Sequence, residues 1–389
     1  MKLLWAALCF LFALMTYVQD AQASLVPDKD LVRVRLLTLS QRIQISGTGL
    51  RFQNLSQPYR PVAIPNNSQV EVRLIKRDAK SFWALRLNNN EVEHLFSEKY
   101  LLIQGDGLRA GAQSLPGRVL LAANGPQSVD IVGVMPLDEY IVGVLASEMP
   151  LGWPLETLKA QAVAARSYTL AVINERNDKA YHLESSVLDQ VFRHVMAEDE
   201  NDVKIKKALQ AVRETEGLHL EGPNHKVLKA FYHADCGGKT TTAKNVWSSG
   251  VNTGTAVDSS CSTSRSGQWR LRISKEDLAR KLHSAPIMKV SLIRSPGDSR
   301  VELVKVAFND GLEKTFNAND FRQALGFQDL RSTMFDLEAQ NETYTFTGRG
   351  FGHGVGLCQW GSRALGMQGK NFAQILKHYY PLAKLAKNL

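Results

Sequence analysis

The sequence predicts a mixed α+β protein with a β-rich N-terminal region and an inserted α+β segment. In the first third of the chain, apolar and polar residues alternate, which is typical of half-buried strands. From residue 136 onward, apolar residues recur at spacings of three and four, which is typical of amphipathic helices. The 389 residues are 44% hydrophobic and 22% charged, the composition of a folded globular protein.

The charge balance favours an anionic partner without identifying it. Lys and Arg total 47 and Asp and Glu total 38, so the formal net charge is +9. Four cysteines in 389 residues exclude a small scaffold built on disulfides. No apolar run beyond the N-terminus approaches the roughly 18–20 residues that a membrane span needs, so we expect no span after it.

Residues 1–23 have the pattern of a secretory signal peptide. Met1-Lys2 is a short basic start, residues 3–18 are apolar, and Ala21-Gln22-Ala23 is a small-x-small cleavage signal. The alternative is an uncleaved anchor helix, which the 16-residue apolar stretch disfavours. Cys9 lies within that stretch and not at the cleavage point, which disfavours a lipoprotein. We therefore expect export to the periplasm, the cell envelope or the medium.

Residues 24–132 are predicted to form a β-rich accessory region. Strands are expected at residues 32–36, 42–45, 70–74 and 82–87, where the residue types alternate. Turns are expected at residues 46–49, 88–90 and 105–107, because glycine and asparagine tolerate positive φ. Nothing in this region indicates catalysis.

The remaining chain is predicted to be a core in two parts, residues 133–267 and 341–389, separated by an insertion at residues 268–340. A helix is expected from residue 137 to about Glu148, because Pro150 disfavours helical geometry at the residue before it. A longer helix is expected from Leu155. Within the insertion we expect a helix at residues 275–282 and a strand at residues 301–306.

Glu148 is the strongest candidate for acid–base chemistry. At the C-terminal end of a helix, the helix dipole opposes ionisation of a carboxyl group, so a proton is kept available for donation. The alternative is a solvated glutamate with no chemical role.

The following helix carries two cations, Lys159 and Arg166, seven residues apart. Seven residues are two helical turns, so both side chains lie on one stripe and are candidates to bind an anionic or polyhydroxyl ligand. Gln161 lies on another face. The alternative is an ordinary solvated polar face.

His233, Cys236 and Cys261 are a candidate zinc site. One imidazole and two thiols suit a tetrahedral zinc ion, and Asp235, water or Cys358 is available as the fourth ligand. A disulfide between Cys236 and Cys261 is the alternative, because an exported protein meets an oxidising compartment.

Residues 348–356 carry glycine at every second position. If this segment is extended, its glycines form a bare face that admits a ligand closely, while Arg349 and His353 lie on the opposite face. The alternative is a structural strand packed against another backbone. His353 and Cys358 also suggest a Cys-His nucleophile pair, although no helix start is evident around Cys358.

Three stretches resemble the SpoIID/LytB family of bacterial cell-wall proteins. They are residues 137–150 (LDEYIVGVLASEMP), 158–168 (LKAQAVAARSY) and 350–361 (GFGHGVGLCQWG). The resemblance extends from about Gly133 to Tyr380, and it implies a SpoIID-like catalytic core in the two parts given above.

The resemblance implies a peptidoglycan lytic transglycosylase, which cuts the β-1,4 bond between N-acetylmuramic acid and N-acetylglucosamine and leaves an anhydro-muramyl end. It makes Glu148 the expected catalytic residue, and it supports a structural zinc ion at His233, Cys236 and Cys261. The residues expected to bind the glycan strand are Lys159, Gln161, Arg166, Arg349, His353 and Gln359.

Another class of function is also implied. LytB-like members enhance a cell-wall amidase, so a chain that resembles them could bind glycan beside an amidase without turnover. A cysteine peptidase acting through Cys358 is a third hypothesis. No motif supports nucleotide binding, and no nucleic-acid partner is expected.

Overall fold

The computed structural model describes residues 31–387, apart from residues 55–60, 67, 78–79, 89, 97–98, 126, 196–198, 200, 248–249, 263–266 and 295–296. The expected signal peptide and Cys9 lie outside the described residues. The mixed α+β class is confirmed. Throughout the described part of the chain, the helices are too short or too polar to cross a lipid bilayer.

The chain divides into two compact units. The first contains residues 1–147 and 172–196, and the second contains residues 148–171 and 197–389. The first unit therefore joins the predicted β-rich region to parts of the predicted core. Its described strands are β1 (Leu31–Ser40), β2 (Arg42–Asn54), β3 (Val62–Ala63), β4 (Val70–Arg77), β5 (Lys80–Leu87), β6 (Asn90–Phe96), β7 (Tyr100–Ala110), β8 (Gln113–Ser114), β9 (Arg118–Ala123), β10 (Ser128–Pro136) and β11 (Leu183–Glu184).

These strands form one sheet in the order β11-β1-β10-β9-β7-β2-β4-β5-β6, with β3 on β2 and β8 on β7. All pairings are antiparallel except that of β1 with β11. Alternate residues enter the core, as Ile43 and Ile45 do in β2. The four predicted strands are confirmed in β1, β2, β4 and β5.

Two of the three predicted turns are wrong. Residues 46–49 lie within β2 and residues 105–107 lie within β7, where Thr48 pairs with Asp106 across irregular register. A Cβ atom at Gly47 would lie 2.9 Å from the carbonyl oxygen of Asp106. The glycines therefore allow bulged strands to approach closely and do not reverse the chain. The third turn is confirmed at Asn88, which has φ 49°, while Asn89 lies outside the described residues.

Helix α1 (Leu137–Glu148) follows the sheet directly, as the sequence predicts. Tyr140 anchors it in the first unit, because its ring stacks on Phe192 at 5.1 Å and its hydroxyl donates to Gln190 Oε1 at 3.1 Å. Gly143 is needed beside the same ring, since a Cβ atom there would lie 2.3 Å from Phe192. These contacts fix the helix that ends at Glu148.

The second unit mixes short helices with small sheets. Helix α2 (Leu155–Glu175) begins where the sequence predicts. The other helices are α3 (Val203–Arg213), α4 (Ala243–Trp247), α5 (Ser259–Ser262), α6 (Lys275–Lys281), α7 (Ala318–Leu325), α8 (Gln359–Met367) and α9 (Phe372–Tyr379). The strands are β12 (Leu218–Glu221), β13 (Tyr232–His233), β14 (Gln268–Ser274), β15 (Ile287–Arg294), β16 (Val301–Phe308), β17 (Glu313–Asn317), β18 (Phe335–Gln340), β19 (Thr343–Arg349), β20 (Leu357–Cys358) and β21 (Lys384–Lys387).

The predicted insertion contains two three-stranded sheets, β14-β19-β18 and β15-β16-β17. Helices α6 and α7 cover a core that includes Leu278, Val304, Phe321 and Phe346. The predicted helix and strand of this segment are confirmed by α6 and β16. Strand β19, which lies just beyond residue 340, completes the first of these sheets.

The glycine-rich segment is not a regular strand, so the extended geometry considered for it is wrong. Gly350, Gly352, Gly354 and Gly356 all have positive φ, between 70° and 112°. Their bare faces are covered by the protein itself. A Cβ atom at Gly356 would lie 2.0 Å from the carbonyl oxygen of Phe231. The packing expected in the structural alternative is confirmed, although the segment is not a strand, because these glycines lie against neighbouring groups of the protein and leave no open face for a ligand.

Arg166 is only 2% exposed and lies inside the second unit. Its guanidinium donates to the carbonyl oxygens of Thr215 at 2.9 Å, Leu218 at 3.2 Å and Val212 at 3.4 Å. Val212 lies in the last turn of α3, Thr215 lies just beyond it, and Leu218 begins β12. Arg166 therefore holds the end of α3 against α2.

We predict that Arg166→Ala destabilises the protein. Three buried acceptors would lose a charged donor, so the free energy of unfolding should fall by about 3 kcal/mol. Urea denaturation followed by circular dichroism measures the change. The matched control is Arg213→Ala in α3, where an exposed arginine should contribute no more than about 0.5 kcal/mol. Equal stability of the two variants would contradict the assigned role of Arg166.

Candidate functional site

Glu148 is the last residue of α1, as predicted from Pro150. Its side chain is half-buried and is followed by the buried Met149 and the exposed Pro150. In the residue before it, the Ser147 hydroxyl donates to the carbonyl oxygen of Gly143, one turn earlier in the helix, at 2.8 Å. The carboxyl group thus lies at the negative end of the helix dipole with part of its surface open to a substrate.

Lys159 is held by two carboxylates. Its Nζ lies 2.7 Å from Glu156 Oε1 and 2.5 Å from Glu214 Oε2. Burial alone would lower the pKa of Lys159, but the hydrogen bonds to Glu156 and Glu214 raise it. The ammonium is thus charged and already paired. Together with the buried Arg166, it belongs to the contact between α2 and the end of α3, and the glycan contact expected of these two cations stays a prediction.

The structure brings three thiols and one carboxylate together. Cys236, Cys261 and Cys358 are buried free thiols, and their Sγ atoms and one oxygen of Asp258 all lie within 4.8 Å of one another. Cys261 Sγ and Cys358 Sγ are 3.5 Å apart, and Cys236 Sγ is 3.9 Å from Asp258 Oδ2. These distances leave the cysteines unbridged.

Hydrogen bonds make one of the thiols acidic. The pKa of Cys236 is lowered, first by its hydrogen bond with Cys261 and then by that with Cys358. The backbone N–H of Gly238 also donates to Cys236 Sγ at 3.4 Å. The same contact with Cys236 raises the pKa of Cys261, and burial raises that of Cys358. The cluster thus stabilises a thiolate at Cys236, the form that binds metal.

His233, a predicted zinc ligand, lies outside the four-residue cluster but near it. It precedes Cys236 by three residues, and its interaction with Cys236 contributes to the lowered pKa of that thiol. Its Nδ1 lies 3.1 Å from the carbonyl oxygen of Val355, so this nitrogen carries the proton. Its Nε2 is buried and has no hydrogen-bond partner within the described part of the chain.

The side chain of Asp235, a candidate fourth ligand, makes a hydrogen bond to the nearby backbone. Its Oδ1 accepts from the backbone N–H of Gly237 at 2.7 Å, and burial raises its pKa. Asp258 was not singled out from the sequence. Its Oδ2 accepts the hydroxyl of Tyr379 at 2.8 Å, and its Oδ1 accepts that of Ser260 at 2.5 Å. It lies three residues before Cys261, so this Asp-x-x-Cys spacing is the sequence signal that could have marked it.

Gln161 and Gln359 are buried amides. Neither Nε2 has a hydrogen-bond partner among the described residues, and Gln161 Oε1 also has none. Gln161 lies one turn beyond Thr157 on α2, and Thr157 donates to the carbonyl oxygen of Ser362 on α8 at 3.1 Å. Buried amides seldom stay unpaired, so a water molecule or a ligand is expected beside each.

The other two predicted glycan contacts differ in exposure. Arg349 is exposed, and its Nε donates to Met334 Sδ at 3.3 Å. His353 is half-buried between aromatic rings, 5.0 Å from Trp247 and 5.8 Å from Phe231. Burial lowers its pKa well below the usual range, and its Nδ1 accepts the backbone N–H of Val355 at 3.0 Å. His353 is therefore a neutral imidazole.

Cys358 begins a helix, contrary to the expectation that no helix start lies around it. It is the N-cap of α8, and its Sγ accepts the backbone N–H groups of Gly361 at 3.4 Å and Cys236 at 3.3 Å. The thiol is nonetheless buried, and its pKa is raised. A protonated, inaccessible thiol is a poor nucleophile, so the geometry does not favour the peptidase reading.

Two family models match the chain. The model described as stage II sporulation protein, SpoIID, matches residues 126–221, which include Glu148 and α2. A second model, described as a domain of unknown function, matches residues 251–356. The second match covers the predicted insertion and the whole glycine-rich segment, residues 348–356.

Similar whole proteins span much of the chain. An uncharacterised protein of Brachyspira hyodysenteriae is 27% identical over 64% of this chain and 66% of its own length. The amidase enhancer of Bacillus subtilis is 26% identical over 61% of this chain but only 39% of its own length. Stage II sporulation protein D of Bacillus subtilis is 31% identical over 70% of this chain and 79% of its own length. With that identity and coverage, the chain belongs to the SpoIID/LytB family.

Proposed function

We propose that this protein is an exported peptidoglycan lytic transglycosylase with Glu148 as its catalytic residue. The observation that carries the proposal is the half-buried carboxyl at the end of α1, within the Ser-Glu-Met-Pro stretch of a chain that belongs to the SpoIID/LytB family. The substrate is the glycan strand of the bacterial cell wall.

One carboxyl group suffices for this reaction. Glu148 donates its proton to the glycosidic oxygen as the bond from C1 of N-acetylmuramic acid to that oxygen breaks. The C6 hydroxyl of the same sugar then forms the new bond to C1, and its proton returns to the Glu148 carboxylate. No water is consumed and the proton count balances, so no second carboxylate is needed, unlike in ordinary glycoside hydrolysis.

The alternative is a glycan-binding enhancer of a cell-wall amidase. The observation that favours it is the similarity to the amidase enhancer of Bacillus subtilis. The two proposals differ in their products, because anhydro-muramyl ends form only if this protein cuts the strand.

We also propose that the thiol cluster holds a structural zinc ion. Three cysteine thiols beside a carboxylate are a donor set that suits tetrahedral zinc, and Cys236 is predisposed to be a thiolate. Cys236 and Cys261 were expected ligands, and Cys358 supplies the third thiol. The fourth ligand is either Asp258 in the cluster or the unpartnered Nε2 of His233. When bound, zinc would cross-link the segment that follows β13, helix α5 and the start of α8.

The first functional prediction concerns Glu148→Gln, which keeps the side-chain shape but removes the titrating proton. Release of anhydro-muramyl ends from purified peptidoglycan should fall by about 10²–10⁴-fold, the usual value of acid–base catalysis. Glu148→Asp should be nearly as poor, because retracting the carboxyl by roughly 1 Å costs about 10²-fold. Mass spectrometry of the released ends measures both rates.

The matched control is Glu139→Gln in the same helix. Burial raises the pKa of Glu139, which lies near the other end of α1. Its variant should release products at the wild-type rate. Wild-type turnover by Glu148→Gln would disprove the catalytic role and make the amidase enhancer the better proposal.

The zinc prediction is one ion per chain after purification without added metal. Cys236→Ser, Cys261→Ser and Cys358→Ser should each lose most of the metal and lower the thermal midpoint of unfolding. Elemental analysis and a thiol titration measure the outcome. A metal-free wild-type protein with a Cys236–Cys261 disulfide would contradict the proposal.

The fourth ligand is identified by comparing Asp258→Asn with His233→Gln. The variant that removes a ligand should weaken zinc binding by at least about tenfold, in line with the effect of disturbing a metal site. The other variant should keep wild-type affinity in a competition with a chromogenic chelator.

A further inference from the structure

A tryptophan pair lies at the surface of the second unit. Trp153 precedes α2 and Trp360 is in the first turn of α8, and their ring centroids are 5.0 Å apart. Trp360 is 42% exposed and Trp153 is half-exposed, whereas Trp83 and Trp269 are buried. An exposed tryptophan ring keeps apolar surface in contact with water, and a partner that covers the ring removes that contact.

Arginine completes this surface. The guanidinium carbon of Arg363 lies 5.4 Å from the ring centroid of Trp360 and 5.8 Å from that of Trp153. Both distances fall within the range of cation–π attraction. Arg363 thus links the two rings and restrains them before any ligand arrives, which reduces the entropy lost on binding.

The backbone beneath the rings is also fixed. A Cβ atom at Gly366 would lie 2.5 Å from Thr157 Oγ1, so only glycine lets α8 approach the start of α2 this closely. Lys207 donates to the carbonyl oxygens of Gly152 and Trp153 and ties down the turn before α2. The rings therefore form a rigid surface.

We propose that Trp153, Trp360 and Arg363 form a stacking platform for an N-acetylated sugar ring of the glycan strand. The apolar C–H face of a pyranose covers an indole ring, and the guanidinium is placed to donate to hydroxyl or acetamido oxygens at the ring edge. The proposal rests on the proposed function, and it adds a binding subsite to the catalytic carboxyl.

The chain places this platform near Glu148. Trp153 is five positions after Glu148 in the chain, so their Cα atoms are at most about 18 Å apart even if the chain is fully extended. A turn shortens that distance, since the backbone N–H of Trp153 donates to the carbonyl oxygen of Pro150 at 3.1 Å. The platform is therefore within a few sugar rings of the bond that Glu148 is proposed to cut.

The test measures binding without turnover. Trp360→Leu and Trp153→Leu are each made in the Glu148→Gln protein, and sedimentation with peptide-stripped glycan strands gives the affinity. Each leucine variant should bind about tenfold more weakly, because a tryptophan contact at the centre of a site contributes strongly to affinity. Trp360→Phe, which keeps an aromatic face, should bind within about threefold of its parent.

Met367→Ala is the matched control. Met367 is also on α8 and is 66% exposed, but it offers no ring. Its affinity for the glycan strands should equal that of its parent. In a separate titration, soluble β-1,4-linked N-acetylglucosamine oligomers should change tryptophan fluorescence in the proteins that keep both Trp153 and Trp360, and not in the two leucine variants. Trp153→Leu and Trp360→Leu change two separate positions. If one of them fails to fold, the other still tests the platform.

Unchanged affinity in both leucine variants would overturn the platform, and so would an equal loss in Met367→Ala. Loss of amidase stimulation with intact glycan binding would overturn it in favour of a protein contact. Weaker binding in the leucine variants supports the platform whether or not the wild-type protein releases anhydro-muramyl ends. Failure of the platform and failure of the proposed catalysis are thus distinguishable.

Discussion

The candidate zinc cluster depends on the close approach of two backbone segments, residues 231–237 and 350–358. The approach requires glycine, because a Cβ atom at Gly356 would lie 2.0 Å from the carbonyl oxygen of Phe231 and one at Gly350 would lie 2.9 Å from that of Asp235. Because the segments touch, β13 pairs with β20 and His233 comes opposite Cys358. The same approach brings Cys358 beside Cys236 and Cys261, and it starts α8 at the N-cap Cys358. Any side chain at these glycines would disturb the cluster and the helix together.

The sequence predicted those features that depend on local chemistry. Pro150 ends α1 at Glu148 because it restricts the residue before it, and alternation in the first third of the chain gave the strands. Contacts between distant segments were predicted less well. Gly47 and Gly105 suggested turns, but they lie in neighbouring strands where two backbones approach closely. A single glycine has the same local signature in a turn and at a close backbone contact, and only the partner segment distinguishes the two.

Arg166 illustrates the same limit for charged residues. Helical periodicity places Lys159 and Arg166 on one stripe, yet it does not say what faces that stripe. In the structure, Arg166 donates to backbone carbonyl oxygens at and beyond the end of α3, and Lys159 pairs with the carboxylate of Glu214, so both cations make contacts within the protein. Asp258 was missed because its contacts with Cys236 and Tyr379 join segments that are distant in the sequence. A cation on a helix is therefore a candidate ligand contact only after the helix ends around it have been satisfied.

The proposed acid Glu148 and one ring of the proposed platform, that of Trp153, lie in one stretch of chain. Glu148 ends α1, and Trp153 precedes α2 by two residues, so the turn that begins at Pro150 sets the distance between proton donor and ring. The Glu148 carboxyl is placed by the end of α1, whereas the ring of Trp153 is restrained by Arg363 of a distant segment. Binding and cleavage can consequently vary independently.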